Sequence, residues 1–99
     1  MYLIQVLLPA HVEQGARPDP YERLREELTN RFGGMTFYKN APAEGLWAND
    51  ANVEKDAVIV AEVMADDLDW SWWKTYRETL EVRFQQDEVV IRALEMTRL

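Results

Sequence analysis

A chain of 99 residues with 47% hydrophobic content and no cysteine suffices for one domain and leaves no room for a second. The missing cysteine removes disulfide frameworks, thiolate nucleophiles and cysteine-held zinc together, and fits a reducing compartment, so the cytoplasm is the expected location. Eighteen acidic against eleven basic side chains leave a formal charge of −7, which opposes nonspecific binding to nucleic acid and to anionic lipid alike.

Tyr2 to Leu8 alternates Tyr2, Ile4, Val6 and Leu8 against Leu3, Gln5 and Leu7, so both faces are apolar except at Gln5. That pattern predicts a central strand. The run is too short to cross a membrane and lacks the basic start and cleavage site of a signal peptide, so no membrane attachment is expected. Pro9 ends the strand, and a polar loop leads to Asp19, Pro20, Tyr21 and Glu22, an N-cap, N1 and N3 combination that starts a helix. Its stripe is Tyr21, Leu24, Leu28 and Phe32, while Glu22, Arg23, Glu26, Glu27 and Asn30 project elsewhere, and Gly33 supplies a left-handed stop.

Met35 to Lys39 then alternates as a strand, which the segment Ala41 to Gly45 is expected to break before a short Leu46 to Asn49 piece and a polar turn over Asp50 to Asp56. Ala57 to Met64 reads as the third strand, with Glu62 the one charged residue on the face of Val58, Val60 and Met64. Asp66 or Asp67 is expected to cap a second helix, whose buried arc gathers Leu68, Trp72, Trp73, Tyr76, Leu80 and Phe84. Val89 to Met96 closes the chain as strand four.

Strand, helix, strand, strand, helix, strand with right-handed crossovers predicts an α+β, ferredoxin-like βαββαβ sandwich spanning residues 1–99, with strand order 4-1-3-2 and an elaborated hairpin between strands two and three. Two helices cover one face of such a sheet. The apolar residues of the other face then call for a partner, which predicts a homodimer.

The opening YLIQVLLP, the ELTNRFGGMT passage from helix to strand and APAEGLW in the hairpin resemble a family of short bacterial proteins of about 100 residues whose activity is unassigned. The topology is also similar to the dimeric α/β-barrel superfamily. That resemblance implies two sheets packed face to face and, in some members, metal-free oxidation or rearrangement of small aromatic molecules.

Gln5, Glu62 and Arg92 fall on the second sheet face near strand middles, on strands expected to be neighbours. Among Leu3, Leu7, Val58, Val60, Val90 and Leu94 a lone charge is costly, so Glu62 and Arg92 are expected to meet, directly or through Gln5. Two roles fit: an ion pair that fixes dimer register, or a ligand site in which Arg92 holds a carboxylate or enolate and Glu62 acts as base. His11, the one histidine, follows strand one and is a candidate general acid or base, although a solvated loop histidine is the commoner case. Tyr38 and Trp47 are candidates for lining a small-molecule cavity, though packing under the hairpin is the usual fate of such residues.

Asp50, Asn52, Glu54 and Asp56 alternate like the start of a calcium loop, but Lys55 stands where glycine is needed and Ala61 where the distal glutamate belongs. Gly33 and Gly34 lack the strand and the Gly-Lys-Ser/Thr of a phosphate loop. No metal or cofactor is expected. Trp72 and Trp73 read as core, whereas Trp70 projects toward the edge of the helix's buried arc near Arg77 and suits a sheet margin or partner contact. A binding or interaction module is the leading expectation, with a cofactor-free enzyme of oxygenase or isomerase type as the alternative.

Overall fold

The structure, a computed structural model, describes residues 1–10, 19–49 and 52–99, with 39–45, 47–49 and 52–56 by backbone alone. The elements run β1 (Tyr2–Pro9), α1 (Pro20–Phe32), β2 (Thr36–Asn49), β3 (Asn52–Ala65), α2 (Trp70–Arg83) and β4 (Val90–Glu95). They form a four-stranded sheet in the order β2-β3-β1-β4, the expected order read from the other edge, and every described pairing is antiparallel. This is the ferredoxin-like βαββαβ arrangement.

Local chemistry sets the ends of α1. The Asp19 carboxylate accepts from the Tyr21 amide at 2.9 Å, Pro20 sits in the first turn where its missing N–H costs nothing, and Gly33 closes the helix at φ 80°. That angle disfavours any residue with a Cβ. The second helix starts later than the sequence suggests. Asp69, rather than Asp66 or Asp67, holds the N-cap and accepts from the Trp72 amide at 3.1 Å, which leaves Leu68 before the helix but still packed against the core.

The hairpin also differs from expectation. The segment Ala41 to Gly45 does not end β2; it is absorbed into a fourteen-residue strand through a register shift between Tyr38 and Ala43. Pro42 lies inside that shift, on an edge strand, where a missing amide donor is tolerated. β3 likewise begins at Asn52, so most of the expected polar turn is strand.

Alternation along the strands divides the sheet into two environments. Ile4, Val6, Leu8, Ala61 and Val63 point to the helices and pack against Leu24, Leu28, Trp73, Tyr76, Leu80, Phe84 and Val89. Each fully buried Leu or Ile here contributes about 1.5–3 kcal/mol through area removed from water. The Glu27 carboxylate ties the two helices together: Arg83 donates to both its oxygens, at 2.5 and 2.9 Å, and the Tyr76 hydroxyl donates at 2.9 Å. Phe32 stacks on Trp73 at 5.3 Å, Trp72 stacks on Tyr76 at 4.7 Å, and Arg31 lies 4.1 Å over Trp72, closing the end of the layer where α1 finishes and α2 starts.

Candidate functional site

The opposite sheet face carries no second layer among the described residues. Leu3, Leu7 and Val60 are half-buried there, while Met64 and Leu94 remain 43% and 49% exposed. Register places Gln5 directly between Glu62 on β3 and Arg92 on β4, all three on this face because each alternates with a core-facing neighbour. Arg92 Nε donates to Gln5 Oε1 at 2.7 Å, Gln5 Nε2 donates to Glu62 Oε2 at 2.6 Å, and the Tyr38 hydroxyl donates to Glu62 Oε1 at 2.9 Å.

The result is one polar row, Arg92–Gln5–Glu62–Tyr38, with a member on each of the four strands. Glu62 and Arg92 meet through Gln5 rather than directly. Only an amide can serve in that place, since its oxygen faces the guanidinium while its nitrogen faces the carboxylate. Each oxygen of Glu62 therefore has a donor, while the terminal nitrogens of Arg92 have no hydrogen-bond partner among the described residues. The bond to Glu62 and the charge of that carboxylate raise the Tyr38 phenol above its ordinary pKa, because ionisation would place two anions side by side.

A groove of about 580 Å³ borders the row, lined by Glu62 together with Leu3, Thr36, Met64 and Arg98. Its floor is the open sheet and its rim the turn at Gly33 and Gly34. Its chemistry combines the Glu62 carboxylate and the Arg98 guanidinium in a lining of mixed polarity, with Arg92 outside it across the sheet.

Of the residues singled out from the sequence, Gln5, Tyr38, Glu62 and Arg92 are brought together. His11 lies outside the described residues. Trp47 is described by backbone alone, paired with Glu54, eight positions up β3 from Glu62 (54 against 62). The sequence reading placed Glu27 among residues projecting away from the core, and the structure makes it the half-buried acceptor between the helices; its only signal was the distant Arg83, which helical periodicity does not connect to it. Among the described residues no group of three or more His, Cys, Asp and Glu is placed to hold a metal ion, and no helix is long and apolar enough to cross a membrane.

No family model matches the sequence, and no curated protein matches it. Solved structures do resemble it. A variant of CutA1 from Pyrococcus horikoshii OT3 superposes with a TM-score of 0.59 at 11% identity, over 100% of this chain and 86% of that one. The PII-like protein CutA from Nostoc sp. PCC 7120, in apo form, gives 0.57 at 12% identity over 97% and 81% of the two chains. A phage SAM lyase, also in its apo state, gives 0.53 at 10% identity over 94% and 78%. At such identities the likeness establishes the shared fold.

Proposed function

We propose that this chain is a small cytoplasmic binding module that associates with a second copy of itself through the open sheet face. The observation that carries this reading is the Arg92–Gln5–Glu62–Tyr38 row lying across an otherwise apolar sheet face that has no second layer among the described residues and leaves Met64 and Leu94 exposed. The row carries a cation, Arg92, on β4 and an anion, Glu62, on β3. A two-fold axis through Gln5 would set Arg92 of each protomer against the partner's Glu62, an isologous match of the kind that homodimers use. Met64 and Leu94 would then leave water together with the row.

Sedimentation equilibrium tests the reading. The wild type is expected at twice the 11.6 kDa chain mass, and Met64→Arg or Leu94→Arg at the monomer mass with an unchanged circular dichroism spectrum. Val82→Arg is the control, since Val82 is 81% exposed on the helical layer and its replacement should leave the dimer intact. A monomeric wild type, or a dimer indifferent to both open-face changes, would sink the proposal.

A second reading is favoured by the groove beside Glu62, where a carboxylate held by two donors borders a concave lining that includes Leu3, Met64 and Arg98. In that reading the module is a cofactor-free enzyme acting on a small molecule, with Glu62 as base and Arg92 holding an anionic group of the substrate. That the same fold occurs in a lyase makes the reading admissible. Native mass spectrometry of gently purified protein separates the two: a small molecule retained by the wild type and lost in Glu62→Gln favours the enzyme, and a ligand-free dimer favours the interaction module.

A further inference from the structure

The helical layer leaves part of its own sheet face bare. α2 lies against β4, yet Ala93 of β4 stays exposed although it points to the helix side, where Ile91 is only half-buried. Between α2 and β4 runs a groove of about 890 Å³. Its floor is Ile4, Ile91 and Ala93, and its wall is one face of α2, where Trp70, Trp73, Lys74 and Arg77 follow helical spacing. Trp73 belongs to the core at 7% exposure, whereas Trp70 stands at the rim with 80% of its surface in water.

Two further observations indicate the occupant. β4 ends the sheet, and among the described residues nothing pairs with its outer edge, so a row of backbone donors and acceptors faces the groove mouth. The charges there also run against the rest of the molecule. In a chain of net charge −7, Lys74, Arg77 and Arg92 line the groove against Glu95 alone, and neither Lys74 nor Arg77 forms a salt bridge among the described residues. Arg92 stands on the open-face side of the edge, and Lys74 and Arg77 on the helix side.

We infer that the groove between α2 and the free edge of β4 is a docking site for an extended acidic segment of another protein, which adds to the sheet beside β4 as a fifth strand. Strand addition satisfies the idle backbone groups of β4, and side chains alternate from such a strand to the two sheet faces. Those on the helix side descend onto Ile91 and Ala93 beneath Trp70, with their carboxylates beside Lys74 and Arg77. A basic segment would meet Lys74 and Arg77, and a helical one would leave the edge unpaired.

Fluorescence anisotropy with a fluorescein-labelled heptapeptide of alternating valine and glutamate tests this on the full chain. Saturable binding is expected below about 1 mM peptide, the weak range typical of a single added strand. The lysine counterpart and the fully N-methylated glutamate peptide are expected not to bind, and the double change Lys74→Glu with Arg77→Glu should weaken binding about tenfold or more. Met64→Arg, which tests self-association on the other face, should still bind the peptide through Lys74 and Arg77 on the helix side, so the two readings fail separately. The inference is overturned if the glutamate peptide does not bind, if the lysine or N-methylated peptide binds equally well, or if the double charge reversal changes nothing.

Discussion

Gln5 joins two opposite charges because its amide carries both a donor and an acceptor, and that makes it the most sensitive position of the row. Gln5→Glu would set a second carboxylate against Glu62 in place of an N–H donor. We expect a loss of about 1–3 kcal/mol in urea denaturation near neutrality, shrinking with acidification as one of the two facing carboxylates takes up a proton. Gln5→Leu should also destabilise, but without that pH dependence. Tyr38 reports on the same row by its own titration. Its phenol is raised by Glu62, so ultraviolet titration, read as the difference between wild type and Tyr38→Phe, should return toward about 10 in Glu62→Gln. Because the native pKa lies above the unfolded one, the contribution of this bond is whole below about pH 10 and disappears as pH rises through the native value. An unshifted Tyr38 titration in Glu62→Gln would mean that the bond does not form in solution.

At the scale of elements, the clamp between α1 and α2 is the clearest source of acid sensitivity. The hydrogen bonds from Arg83 hold the Glu27 carboxyl below its ordinary pKa, against the opposing effect of partial burial, and Tyr76 adds to the lowering. A lowered native pKa stabilises the fold above the unfolded carboxylate value, about 4.5, and that stabilisation is lost as pH falls through the native value. Glu27→Gln should cost about 1–2 kcal/mol at neutral pH, discounted because the Glu27 side chain keeps 38% of its surface in water, and should flatten the stability profile below pH 4.5. Gly33→Ala, forced to φ 80°, should cost about 1 kcal/mol in thermal unfolding. Asp19, Pro20 and Gly33 made α1 legible because caps are local chemistry. The polar row was legible through period-two alternation, which places Gln5, Glu62 and Arg92 on one face before any contact is known. Tertiary pairing hid the rest: Pro42 and Gly45 look like breakers until β3 supplies a partner strand and the shift absorbs the proline. Asp66 and Asp67 look able to cap α2 until geometry places the N-cap at Asp69.

For the whole molecule, the net charge of −7 sets a repulsion that any pairing of two copies must overcome. Self-association is therefore expected to tighten as salt rises to about 0.15 M, where the Debye length falls to about 8 Å and screens long-range repulsion more than contacts within an interface. Dissociation on adding salt would point instead to an assembly held by rim charges. The β2–β3 pairing carries a consequence of another kind. β1 ends where Pro9 meets Val58, yet β2 and β3 remain paired from Ala43 with Val58 out to Asn49 with Asn52. Beyond Ala57, whose carbonyl still accepts from the Ala10 amide, the sheet is a two-stranded ribbon among the described residues, and such ribbons are marginal in water without a third strand or a packed face. Amide hydrogen exchange should consequently be graded along a single strand: slow at Ile59, Ala61 and Val63, where β1 lies alongside, and governed by local opening at Val53 to Asp56. Slow exchange along the entire length of β3 would reveal that the ribbon rests on something outside the sheet, and the first amides protected would locate it.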